Sequence, residues 1–153
     1  MPYDLINAIK VVRLKADGTN YNSAAGTTSA TSESVDTAGY DGVQFEVGFG
    51  AIVTAGVQSV KVQQSAAANT GQADLAGTSQ TVADSDDFKV VRACIYRPTK
   101  RYLNVVISKA TQNSTVDYVI AILFAKVGKI PITQDPTIQG TPEIFASPAE
   151  GTA

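Results

Sequence analysis

The clearest pattern in the chain is VQFEVGF, residues 43–49. Val43, Phe45, Val47 and Phe49 alternate with Gln44, Glu46 and Gly48. A period of two places the four apolar side chains on one face of a β-strand. Other runs obey the same rule. AIKVVRL (8–14) reads as a short first strand, and GVQSVKVQQS (56–65) carries Val60 and Val62 on one face. SQTVADSDD (79–87) reads as a short strand entering an acidic turn. FKVVRACIY (88–96) aligns Val91, Ala93 and Ile95, and RYLNVVISK (101–109) aligns Leu103, Val105 and Ile107. Arg97-Pro98-Thr99-Lys100 separates the last two, with proline fixing φ early in a turn. Together they read as a β-hairpin.

TVDYVIAILFAK (115–126) is the most hydrophobic segment. Three helical turns would fit its length. Its Val, Ile, Tyr and Phe content and its place after a series of strands favour a strand. Val116, Tyr118, Ile120, Ile122 and Phe124 then share one face, and Val119, Ala121, Leu123 and Ala125 the other. A sandwich strand is normally polar outside. Here both faces call for cover from a loop, the tail or another subunit.

Two long stretches lack this pattern. Residues 16–42 contain no Lys or Arg, and Tyr21, Val35 and Tyr40 are their only large apolar side chains. They read as a long loop or weak edge strand held by a neighbour. The last 23 residues, PITQDPTIQGTPEIFASPAEGTA, hold four of the six prolines. Proline at that spacing excludes a helix and a central strand. The spaced Ile132, Ile138, Ile144 and Phe145 make the segment an arm that docks in extended form.

The expectation is therefore an all-β chain: a two-sheet β-sandwich of jelly-roll topology over residues 1–130, with a long loop near its N-terminus, and an extended C-terminal arm over 131–153. The 153 residues, 44% hydrophobic and 17% charged, suit one globular domain. No window approaches the roughly 18 consecutive apolar residues of a membrane span. MPYDLINAIKVVR has no long apolar core of a secretory signal. A net charge of -2 argues against a dedicated nucleic-acid binder.

The chain has no His, no Trp and one Cys. Histidine-based triads and His-ligated metal sites are thereby excluded, as is a disulfide within the chain. Cys94, inside an apolar run, reads as a buried small hydrophobe. Asp84, Asp86 and Asp87 lack the glycine and distal Glu of a calcium loop and read as a solvated turn. The glycines of GYDGVQFEVGFGA do not match a phosphate-binding loop and mark turns or close backbone packing. No cofactor and no enzyme activity are expected. Arg92, Arg97, Lys100 and Arg101, with Tyr96 and Tyr102, concentrate basic and aromatic groups around one hairpin tip, which reads either as a contact for a protein partner or as a solvated hairpin end with Arg stems over tyrosine rings.

SVDTAGYDGVQFEV (34–47), VKVQQS (60–65), ADLAGTSQTVADSDD (73–87), YRPTKRYLNVVISKATQNSTVDYVIAI (96–122) and SPAEGTA (147–153) resemble a group of small structural proteins encoded beside capsid genes in tailed bacteriophages and prophages. The resemblance spans most of the chain from Ser34 onward and rests on the run of strands and turns. Some of these proteins are capsid cement, or decoration, proteins with a jelly-roll-like fold. The resemblance implies a virion protein on the outer surface of the capsid, made in the host cytoplasm, with the major capsid protein as partner. A homodimer or homotrimer is expected, with no direct contact to nucleic acid or membrane. The alternatives are a head-fibre base, a tail protein or a carbohydrate-binding sandwich. Arg97, Lys100, Arg101, Tyr118, Ile138, Ile144 and Phe145 are the interface residues expected.

Overall fold

The computed structural model describes residues 8–125 and 132–138. Among these the strands are β1 (Ile9–Leu14), β2 (Ser23–Gly26), β3 (Ala30–Thr31), β4 (Val35–Asp36), β5 (Tyr40–Ile52), β6 (Val57–Ser65), β7 (Ala73–Asp74), β8 (Gln80–Ala83), β9 (Val90–Tyr96), β10 (Tyr102–Ala110) and β11 (Ser114–Ala125), with one 3-10 turn at Asp84–Asp86. They form two antiparallel sheets packed face to face. Sheet A runs β1-β11-β5-β9, with β2 beside the start of β11. Sheet B runs β3-β10-β6-β7, with β4 also on β10 and β8 also on β6.

The pairings are nested. β1 pairs with β11, β4 with β10, β5 with β9, and β6 with β8. The chain is thus folded back on itself about a midpoint near residue 70, then rolled so that β5 also meets β11 and β6 also meets β10. The weakly patterned residues 16–42 supply β2, β3 and β4. These short strands are held at the margins of β11 and β10.

The core lies between the sheets, which a sandwich holds about 10 Å apart. Val43, Phe45, Val47 and Phe49 of β5 are all buried, as their alternation required. They face Val60 and Val62 of β6 and Leu103, Val105 and Ile107 of β10, all at 0–1% exposure. Val119, Ala121 and Leu123 complete the core from β11.

Three expectations need correction. First, β9 and β10 are not a hairpin: β9 lies in sheet A against β5, and β10 in sheet B against β6. Their apolar stripes enter the core from opposite sheets instead of side by side in one. Alternation defines which face is buried but not which strand is the neighbour. Second, Val116 does not share a face with Tyr118. A register shift between them turns Val116 into the core, at 1% exposure, while Tyr118 stays outside. One extra residue on a bulged strand reverses the facing of every residue beyond it. Third, Cys94 is exposed. It sits on β9 between the inward-facing Ala93 and Ile95, so its side chain points outward.

One end layer of the core is polar. Lys109 of β10 is buried, and its Nζ donates to Ser23 Oγ at 2.7 Å and to the Ala24 carbonyl at 3.0 Å. Burial pushes its pKa down. Its cross-strand neighbour, Gln58, is 1% exposed, and neither amide atom has a hydrogen-bond partner among the described residues. An unpaired buried polar group costs about 1–3 kcal/mol. Gln58→Met, of similar size, is therefore expected to stabilise the protein by about 1–2 kcal/mol in urea denaturation. A loss of stability would show that the amide has a partner in solution.

Candidate interaction surfaces

The turn joining β9 to β10 crosses one end of the sandwich and holds Arg97, Lys100 and Arg101. Arg97 adopts φ of +50°, and its N–H donates to the Asp41 carbonyl at 2.8 Å. Its guanidinium lies 5.1 Å from the centre of the Tyr96 ring. Arg101 is fixed by two hydrogen bonds to Asp36, at 2.8 and 2.7 Å, and stacks on Tyr102. That pairing holds the Asp36 carboxyl below the usual carboxylate range and raises the guanidinium in turn. The Lys100 N–H donates to Gln64 Oε1 at 3.3 Å, leaving an exposed ammonium stem. These residues, with Thr37, Ala38 and Asp41, line an open concavity of about 490 Å³. The three basic residues come together as expected, although Arg101 serves the fold as much as the surface.

Tyr118 lies elsewhere, on the outer face of sheet A. Register arranges that face in rows: Ile9, Phe124, Gly42 and Tyr96; then Val11, Ile122, Gln44 and Cys94; then Arg13, Ile120, Glu46 and Arg92; then Tyr118, Gly48 and Val90. Tyr118 is therefore three rows from Tyr96, roughly 20 Å along the strands. The β5–β9 half is polar, with Arg92 paired to Glu46 at 3.0 Å. The β1–β11 half is apolar: Ile9, Val11, Tyr118, Ile120, Ile122 and Phe124 are half-buried. The rings of Phe124 and Tyr118 lie over Gly42 and Gly48, where an added Cβ would overlap them. Aromatic side chains thus fill the space that the cross-strand glycines leave. Of the two roles the glycine pattern suggests, turn or close packing, these two serve close packing.

The third surface is the edge of β1 away from β11. The Val11 N–H donates to Gln134 Oε1 at 3.0 Å, and Gln134 Nε2 donates to the Ile9 carbonyl at 2.7 Å. One side-chain amide thus pairs with the edge as a peptide group of another strand would. The Arg13 N–H donates to Thr137 Oγ1 at 3.0 Å, and Lys10 meets Asp135 at 3.6 Å. Covering an edge in this way blocks pairing with other chains. Asp135-Pro136-Thr137-Ile138 is a β-turn closed by the Ile138 N–H on the Asp135 carbonyl at 2.9 Å. Asp at the first position and Pro at the second are the residues such a turn favours.

Within 132–138 the arm makes a turn at 135–138, and its holds on β1 are polar. Ile138 is half-buried there. Ile144 and Phe145 lie outside the described residues. A search for apolar anchors passes over Gln134 and Thr137; the Asp135-Pro136 pair is the available signal in the sequence. Gln134→Ala with Thr137→Val should cost about 1 kcal/mol per lost bond. Amide exchange at Val11 and Arg13 should accelerate roughly fivefold or more. Unchanged exchange at both amides would mean that the arm does not hold this edge in solution.

The acidic turn is structural. Asp84 accepts the Ala55 N–H, Asp87 the Ile52 N–H, and Asp86 both the Ala83 N–H and Lys89. Among the described residues no three acidic, Cys or His side chains group as metal ligands. Comparison with protein-family models and with curated proteins returns no match.

Proposed function

We propose that this chain is a cement protein of a tailed-phage particle, binding the outside of the capsid and stabilising contacts between capsomers. The observation that carries the reading is the Arg97–Arg101 end. A short turn, pinned to β4 through Asp36 and to the start of β5 through Asp41, presents Arg97 and Lys100 at an open concavity, with Tyr96 stacked on Arg97. Aromatic and Arg groups held rigid lose little entropy on docking and are favoured at protein contacts. The partner is the major capsid protein, and copies of this chain associate as dimers or trimers on the shell. The sandwich is read as a jelly roll. The nested pairing and the strand orders β1-β11-β5-β9 and β4-β10-β6-β8 support that topology, a long antiparallel hairpin rolled into two Greek keys.

The test is rebinding. Shells assembled without the protein should take up the purified chain and gain resistance to heat. Arg97→Glu with Lys100→Glu should abolish most of that uptake while the chain remains folded. No uptake by such shells, or density for the protein confined to the tail in a particle map, would end the reading.

A further inference from the structure

We infer that Phe88 anchors a second docking surface, at the end of the sandwich opposite the Arg97 turn, and that its ring enters an apolar pocket of the shell bordered by cationic side chains. The inference rests on the cement reading and supplies the second contact that holding two capsomers together requires.

Phe88 is out of place in two respects. Its backbone is left-handed, with φ of +57°. Asp86 to Lys89 form a turn closed by the Lys89 N–H on the Asp86 carbonyl at 3.2 Å. Asp87, with φ of -46° and ψ of 135°, makes it a type II turn. The next position in such a turn favours glycine or asparagine, because a Cβ there crowds the following carbonyl oxygen. The side chain is also 73% exposed, so burial within the fold does not offset that cost. A strained backbone and an exposed aromatic ring at one residue point to a use outside the fold.

The ring has a firm base. The Phe88 N–H donates to the Gly50 carbonyl at 3.3 Å, Asp87 accepts the Ile52 N–H at 2.8 Å, and Asp84 accepts the Ala55 N–H at 2.7 Å. The turn is thus tied to the end of β5 and to the loop that follows it. An aromatic side chain on a fixed backbone has only two torsions to lose on docking. Val53, Val57 and Val90 are exposed at the same end of the sandwich. With Phe88 they make four of the six large apolar side chains exposed among the described residues, so apolar surface is gathered here and not scattered.

Charge selects the partner. Asp84 and Asp87 accept backbone N–H groups but form no ion pair among the described residues, while Asp86 pairs with Lys89. This end is therefore acidic and apolar, whereas the Arg97 end, roughly 20 Å away along β9, is basic. Like charges oppose pairing of this end with its own copy about a two-fold axis. A pocket with a cationic border on a neighbouring capsomer fits it.

The test compares Phe88→Gly with the unaltered chain on shells assembled without the protein. Glycine suits the turn, so the free variant should melt no lower than the unaltered chain. Its binding to shells should weaken about tenfold or more, the loss typical of an aromatic anchor. At saturation it should confer little of the heat resistance that the unaltered chain confers, because one end of the clamp is gone. Phe88→Tyr, which keeps the ring, should retain both properties. No uptake of the unaltered chain ends the cement reading and this inference together. Equal affinity of the unaltered chain and Phe88→Gly overturns the inference alone. So does a fall in melting temperature of about 5 °C or more, which would place the ring in the fold. A changed oligomeric state of the free variant overturns it too, since a second copy would then be the occupant.

Discussion

Phe45→Ala is expected to lower the unfolding free energy by about 3–5 kcal/mol, the range for removing a fully buried aromatic ring. Phe45 has 0% exposure at the centre of β5, the strand that meets both β11 and β9. Its ring projects between the sheets toward the fully buried valines of β6 and β10. Strands cannot close a gap by sliding, because a one-residue slip would turn every core side chain outward. The cavity therefore stays open, and the cost should lie in the upper part of the range. A domain of this kind has about 5–15 kcal/mol in all, so the variant would be close to the limit of stability. Urea denaturation followed by circular dichroism measures this directly. A loss under about 1 kcal/mol would place Phe45 outside the core.

Gly42→Ala and Gly48→Ala should differ sharply, although both glycines sit on the same face of β5. At Gly48 the three atoms nearest an added methyl all belong to the Tyr118 ring, which can swing away. At Gly42 it meets the Phe124 ring and also comes within 2.5 Å of the Ile95 carbonyl oxygen, part of the β9 backbone. The carbonyl can yield only if the pairing of β5 with β9 shifts. Gly42→Ala should therefore cost about 3 kcal/mol, at the upper end for overpacking. Gly48→Ala should cost about 1 kcal/mol or less, offset in part by the reduced freedom of the unfolded chain. Removing the rings separates the causes. In a Tyr118→Ala background Gly48→Ala should cost almost nothing, whereas Gly42→Ala should remain costly in a Phe124→Ala background. Equal costs for the two glycine variants would contradict the packing described.

The face assignments of β5, β6 and β10 are legible because alternation is a local property, and Phe45, Val62 and Leu103 need no knowledge of their neighbours. Pairing is less legible. β9 and β10 carry matching stripes and a short connection, which suits a hairpin and a crossing between sheets equally well. Val116 escapes the pattern because a bulge leaves no mark on the order of apolar residues. Cys94 is misjudged by composition, although its position between Ala93 and Ile95 already points it outward.

For the interaction surfaces, the sequence by itself determined that Arg97, Lys100 and Arg101 share one turn, since they lie within five residues. It also determined that residues 115–126 are apolar on two faces and that the proline-rich tail builds no core of its own. Only the tertiary structure decided that Arg101 is held by Asp36, 65 positions away, and that Gln134 and Thr137 occupy the β1 edge more than 120 positions from their partners. The physical reason is the range of the forces involved. Periodicity and turn preference act over a few residues. An edge strand's open hydrogen-bonding groups accept any suitable amide or hydroxyl that the fold brings to them.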